Sequence, residues 1–359
     1  MPAQIVHGDI VRRFADVPDG RAPLLVLDPL LEFLDDHNLG SGEPVIRPLG
    51  DGHSNYTYTV ARRDATVVLR RPPRPPYPKS AHDVLREARL LEAMATTDVP
   101  VPKILATCDD PSVIGVPFYV MEKLDGIVYT EHTPAPLDAP GERERVAEEL
   151  VDALVKLHGV DWRAAGLQGF GRPDGYLERQ LRRFSGLLDE YRSREIPALD
   201  RLTLWLRDHR PMSSDVAIVH GDFRLGNVMF AATTPARLIA IFDWEMATLG
   251  DPLADVGYLC AMWAQPGDPA GLLKLSRATT EPGYPTRTLL AERYAEASRR
   301  SVQDIRWFMA LALWKFCVIM EGNYRRALDG ATDNPFVREF GAEVPAIASH
   351  AEALTRSHD

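Results

Sequence analysis

The chain has 359 residues, with 41 Lys and Arg against 51 Asp and Glu, a formal charge of −10 with the histidines neutral. That balance argues against a nucleic-acid partner, because polyanion binding draws on surplus basic charge to displace counterions. Apolar residues make up 45% of the sequence, enough for a packed core, and the length suits two domains or one two-lobed unit.

Three scattered cysteines, Cys108, Cys260 and Cys317, give neither a disulfide framework nor a zinc cluster, so a reducing cytoplasm is expected. No targeting segment is expected either: the first residues carry no basic stretch, and Asp28 and Glu32 interrupt the apolar run at 24–34. Residues 1–40 read as an N-terminal extension. Short β-type runs at 56–60, 66–69 and 117–121, bounded by Gly, Pro and Asp, then predict a mainly sheet region up to residue 124. One helix interrupts it at 80–95, with Val84, Leu85, Ala88 and Leu91 at helical spacing and Ser80 as its cap. Pro72, Pro73, Pro75, Pro76 and Pro78 predict a stiff connection into that helix.

From residue 125 the periodicity becomes helical, with helices predicted at 142–158, 175–192, 199–209, 287–299, 302–328 and 335–354. The apolar run at 307–320 contains Lys315 and falls short of the roughly 20 residues that a membrane-spanning helix needs, so it reads as a buried helix and no membrane span is expected. Two β-type runs in this half, 216–219 and 238–242, flank polar, glycine-containing loops.

Those loops hold the strongest signal: His220-Gly221-Asp222-Phe223-Arg224-Leu225-Gly226-Asn227, then Phe242-Asp243-Trp244-Glu245 and Leu249-Gly250-Asp251-Pro252-Leu253-Ala254-Asp255. The order H-x-D-x-x-x-x-N followed by a D-F-G-like element resembles the catalytic loop and metal-binding Asp of the kinase fold. The D-W-E text resembles the aminoglycoside phosphotransferase superfamily of small-molecule kinases, and within it the branch that also occurs fused to acyl-CoA dehydrogenases. The resemblance implies an α+β, bilobal protein-kinase-like fold: a small N-terminal lobe, 1–124, with an antiparallel sheet plus one helix that binds nucleotide, and a larger, mainly helical C-terminal lobe, 125–359, for catalysis and acceptor binding.

It also implies roles for particular residues. Asp222 would take the proton of the acceptor hydroxyl, Arg224 would steady the transferring phosphoryl group, and Asn227 and Asp243 would ligate Mg²⁺ on ATP or GTP. His220 reads as a structural residue that holds the loop, and Asp251 and Asp255 as caps and braces. The pentapeptide at 218–222 also occurs at 5–9, but there the fifth residue after Asp9 is Phe14, which cannot ligate a cation, whereas five after Asp222 comes Asn227.

Upstream, residues 49–58 stand in the place of the phosphate loop, with Ser54 and Asn55 as nucleotide-contacting candidates. The strand Val67-Val68-Leu69-Arg70 stands where kinases carry V-A-I-K. Arg70 is the expected phosphate contact and Arg71 the alternative, since neighbours on a strand face opposite ways. The expected partner is Glu87, which lies within the apolar face of the predicted helix, with Glu92 competing. Residues 62–89 hold eight Lys and Arg against three acids, a basic island suited to phosphates. Glu122 and Leu124 mark a hinge-like segment whose backbone would meet the adenine edge.

For the acceptor, residues 291–359 carry 9 basic and 10 acidic side chains, without the strong acidity that a polycationic aminoglycoside would call for. Trp307, Phe308, Trp314, Phe316 and Met320 read either as an ordinary core helix or as an apolar surface for a small hydroxylated acceptor such as an acyl compound. Two other classes stand beside the kinase: a catalytically silent nucleotide-binding module and a protein kinase. The second lacks an A-P-E segment after Asp243.

Overall fold

The computed structural model describes residues 9–17, 22–50, 55–74, 82–212, 215–330 and 335–356. The chain divides into two compact units, Met1–Asp125 and Gly126–Asp359.

The first unit opens with a parallel pair, β1 (Ile10–Val11) and β2 (Leu25–Val26), and a helix α1 (Leu27–Asp36). Strands β3 (Val45–Pro48), β4 (Tyr56–Ala61) and β5 (Thr66–Arg71) precede α2 (Val84–Met94), and β6 (Ile104–Cys108), a short α3 (Pro111–Ile114) and β7 (Phe118–Glu122) follow it. The five strands β3 to β7 form one antiparallel sheet in the order β3-β4-β5-β7-β6. Its core gathers Tyr58, Val60, Val67, Leu69, Phe118 and Val120 with Leu30 and Leu34 of α1.

Helix α1 adds a second long helix to the one predicted. Asp28 and Glu32 broke its apolar run in the sequence, yet Leu30 and Leu34 are buried while Glu32 is exposed and Asp28 pairs with Arg12, so the acids mark an outer face. Helix α2 begins later than predicted. Asp83 caps it by accepting the Arg86 N–H, after His82 at φ +59°, while Ser80 and the prolines from Pro75 to Pro78 lie outside the described residues.

The second unit runs α4 (Glu142–Gly159), α5 (Tyr176–Tyr191), α6 (Pro197–Asp208), β8 (Ala217–Val219), β9 (Val228–Phe230), β10 (Leu238–Ile241), β11 (Thr248–Gly250), α7 (Leu253–Met262), α8 (Ala270–Leu273), α9 (Arg287–Ser298), α10 (Ile305–Leu328) and α11 (Pro335–Leu354). Strand β8 pairs with β11 and β9 with β10, both antiparallel. These ribbons carry the motif loops at their ends.

Helix α10 packs against α5, α6, α7 and α11. Trp307, Phe308 and Trp314 are buried, and the indole N–H groups donate to Leu206 O (3.1 Å) and Thr203 Oγ1 (2.8 Å). The part of α10 up to Trp314 is therefore core rather than open apolar surface. The three cysteines are free and buried. Among the described residues no helix is long and apolar enough to cross a membrane.

Candidate active site

Directly after strand β8 comes His220, which is buried and tied on every side. Its main-chain N–H donates to Asp255 Oδ2 (2.6 Å) and that of Gly221 to Asp255 Oδ1 (2.8 Å). Imidazole Nε2 donates to Phe242 O (2.8 Å), and Nδ1 accepts the Asp222 N–H (3.2 Å), an arrangement that requires the neutral ring with its proton on Nε2. Gly221 sits at φ +87°, and a Cβ there would lie 2.9 Å from Met246 O, so only glycine fits the turn and the close approach of the two loops.

The Asp222 carboxylate leaves this frame partly open to solvent. Asn227 Nδ2 donates to Asp222 Oδ2 (2.7 Å) and to its carbonyl (2.8 Å). The half-buried Tyr258 phenol lies in the field of Asp222; burial, and then the charge of Asp222, push its ionisation well up, so it stays protonated. Arg224 Nε lies 3.6 Å from Asp222 Oδ1, and its guanidinium crosses Gly226, where a Cβ would come within 2.5 Å of Nη1.

Asp243 follows directly after Phe242, whose N–H donates to Asn227 O (2.8 Å), so Asn227 and Asp243 belong to adjoining stretches of chain. Asp243 adopts φ +65°, a left-handed conformation that costs a non-glycine residue on the order of 1 kcal/mol. Among the described residues no group of three or more His, Cys, Asp or Glu side chains could hold a metal ion alone. A pair of hard oxygen donors is nevertheless what Mg²⁺ takes from a protein when phosphates and water supply the remaining ligands.

Beneath the loop, Asp255 is fully buried on α7. It accepts from His158 Nε2 (3.3 Å), and His158 Nδ1 in turn meets the Tyr294 hydroxyl (2.8 Å). Burial opposes its ionisation, but hydrogen bonds from His158 and the Gly221 amide hold the carboxyl below the ordinary carboxylate range. Asp251 accepts the Leu253 N–H (3.0 Å) at the start of α7. The expected bracing roles of both acids match these contacts.

In the first unit, Arg70 and Arg71 diverge as strand alternation requires. Arg70 Nε pairs with Glu87 Oε2 at 3.0 Å, both largely buried, and Nη1 reaches Thr57 Oγ1 (3.3 Å). Arg71 turns to the other face, where it is buried and donates to the carbonyls of Leu24 and Pro72. Arg71 is thus structural, and Glu87 rather than Glu92 is the partner of Arg70. Asn55 is buried, with Oδ1 3.1 Å from His82 Nδ1. Burial, then the charge of Arg70, lower the pKa of His82, so this ring lies in the field of the same arginine. Ser54 lies outside the described residues. Glu122 Oε1 accepts the Lys103 N–H (2.8 Å), and its own N–H donates to Lys103 O (2.9 Å), which leaves half-buried Leu124 beyond the last paired residue of β7. Tyr258, His82, His158 and Tyr294 are not among the residues expected at the site; His158 contacts the motif acid Asp255, and His82 contacts Asn55.

Residues 45–290 match the APH phosphotransferase enzyme family. The chain belongs to that family. Curated relatives of this phosphotransferase include mouse acyl-CoA dehydrogenase family member 10, 34% identical over 89% of the chain and 30% of that protein, and chicken acyl-CoA dehydrogenase family member 11, 32% identical over 88% and 41%. The chain thus spans about three tenths of the first of these relatives and about two fifths of the second. Among solved structures, a Ralstonia eutropha protein assigned to the aminoglycoside phosphotransferases is 31% identical, with a TM-score of 0.79 over 92% of this chain and 98% of that one. An aminoglycoside phosphotransferase solved with AMP-PNP and hygromycin B shares the fold at 15% identity and a TM-score of 0.58, over 92% and 99%. The phosphotransferase described here therefore has the bilobal α+β kinase-like fold of these small-molecule kinases.

Proposed function

We propose that this chain transfers the γ-phosphoryl group of ATP or GTP, with Mg²⁺, to a hydroxyl of a small hydroxylated acceptor in the cytoplasm. The observation that carries the reading is the Asp222 carboxylate: partly open, oriented by Asn227, on a loop whose backbone is fixed by Asp255 and His220. Phosphoryl transfer needs positioning and charge neutralisation more than covalent chemistry, and this arrangement offers both. Asp222 accepts the hydroxyl proton. Arg224, one ion-pair distance away, steadies the transferring group.

Asn227 and Asp243 would hold Mg²⁺. With Nδ2 of Asn227 committed to Asp222, Oδ1 is its donor, and the Asp243 carboxylate adds a second hard oxygen. When bound, the ion would neutralise the phosphate charge. Residues 1–124 bind the nucleotide, with Arg70, held by Glu87, on the α- and β-phosphates, Ser54 and Asn55 at the phosphate loop, and the backbone of Glu122 to Leu124 on the base. Residues 125–359 carry catalysis and acceptor binding.

The acceptor we favour is a hydroxylated acyl compound. Its support is the near-neutral charge of residues 291–359 and the acyl-CoA dehydrogenase relatives, in which the kinase-like segment belongs to a longer chain. The test is an ADP-release screen over hydroxylated acceptors with ATP and with GTP, each product confirmed by phosphorus NMR. Turnover with hydroxyacyl compounds is expected. ADP release driven by cationic amino sugars alone would sink the acyl reading, and nucleotide binding without transfer to any acceptor would sink the kinase reading.

A further inference from the structure

Between Trp307 and Met320, Lys315 is the single charged residue. It lies on a half-buried face of α10: Trp314, Cys317 and Val318 are fully buried, whereas Lys315, Phe316, Ile319 and Met320 form a half-buried stripe at helical spacing. The Lys315 ammonium lies 4.9 Å from the centre of the Phe184 ring on α5, and exposed Arg183 approaches the same ring at 5.8 Å. Neither cation has a carboxylate within ion-pair distance among the described residues. The two acids whose charge reaches Lys315 are engaged elsewhere, Asp255 with His158 and the 220–221 backbone, Asp222 with Asn227. Burial, and then the like charge of Arg183, bring the Lys315 pKa down to about 8. A cation drawn out of water with no counter-ion is costly unless a ligand supplies one.

We propose that Lys315, with Arg183 beside it, binds an anionic group of the acceptor, a carboxylate or phosphate, while the Phe316, Ile319 and Met320 stripe takes its apolar body. The proposal rests on reading the second unit as the acceptor side, and it sharpens the acceptor to an amphiphile that carries its negative charge within reach of the hydroxyl presented to Asp222. It is the opposite of what a cationic amino sugar would need. Lys315 is a specificity residue here and takes no part in proton transfer.

The test reads binding apart from turnover. Decanoate and decyl phosphate, which have no hydroxyl to phosphorylate, are titrated calorimetrically into the full chain against neutral decanamide, in the wild type, Lys315→Met and Lys315→Arg. The expected result is anion binding at least tenfold tighter than decanamide binding in the wild type, a loss of that margin in Lys315→Met, and its recovery in Lys315→Arg. Which of the two anions binds tighter distinguishes a carboxylate from a phosphate headgroup. Thermal melting shows whether Lys315→Met is folded; a structural role alone would shift melting without changing the anion margin. Equal binding of decanoate, decyl phosphate and decanamide to the wild type, or an unchanged margin in Lys315→Met, overturns the proposal even where the acceptor screen succeeds. Conversely, anion binding through Lys315 in a chain that phosphorylates nothing leaves this site standing and removes the kinase reading.

Discussion

Asp222 and Asp255 belong to one loop system and have opposite environments. The side chain of Asp222 is 22% exposed, with a hydrogen bond from Asn227 and a loose contact with Arg224. That of Asp255 is 0% exposed and spends both oxygens on His158 and the amides of residues 220 and 221. One carboxylate is left partly open, and the other is consumed in holding the backbone that presents it. The same division recurs on β5, where Arg70 faces Glu87 and Arg71 is used up on main-chain carbonyls.

If this division is right, substitutions should separate chemistry from stability. Asp222→Asn should lower kcat by about 10³-fold, within the usual worth of a general base, with unchanged nucleotide affinity and melting temperature. Steady-state assays beside calorimetric nucleotide titration check it, and retained turnover would remove Asp222 as the base. Asp255→Asn should do the reverse first, with a loss of about 3–5 kcal/mol in urea unfolding, as for other broken buried charge contacts.

The pH dependence follows from the sign of the Asp255 shift. Its folded pKa is depressed, so its stabilisation is complete above the unfolded value of about 4 and is lost as pH falls through the lower folded value. The stability gap between the wild type and Asp255→Asn should be flat from about pH 5 to 8 and narrow below about pH 4 in urea titrations. A gap that closes instead between pH 6 and 8 would assign the stabilisation to another group.

A smaller effect is expected on β5. Arg71→Met should cost about 2 kcal/mol by leaving buried carbonyls without donors, yet leave nucleotide affinity within twofold, whereas Arg70→Met should weaken nucleotide binding about tenfold. Equal loss of affinity in both would undo the assignment. Smallest is Tyr258→Phe, which removes a polar hydroxyl from the surroundings of Asp222 and should reduce kcat a few-fold with KM for nucleotide unchanged.

What the sequence made legible was what is encoded locally. Asp222, Asn227 and Asp243 occupy fixed spacings in short loops, and strand alternation put Arg70 and Arg71 on opposite faces, where the structure finds them. Glu87 was visible because a carboxylate in an apolar helical stripe demands a cation. Helix α1 was not, because Asp28 and Glu32 read as interruptions until Leu30 and Leu34 are seen to define its inner face. Tyr258, His158 and Tyr294 gave no signal because their partners lie tens of residues or more away in the chain, and no periodicity records such contacts. Trp307 and Trp314 were ambiguous between core and surface, which only packing resolves.

The His220 ring has one more consequence. It spans from the amide of residue 222 to the carbonyl of residue 242, so the spacing between the two loops is set by the width of an imidazole rather than by the chain that connects them. The turn joining β9 to β10 can therefore lengthen or shorten in descendants of this sequence without altering the distance between Asp222 and Asp243. Diversification of that turn is decoupled from the chemistry by a single aromatic spacer.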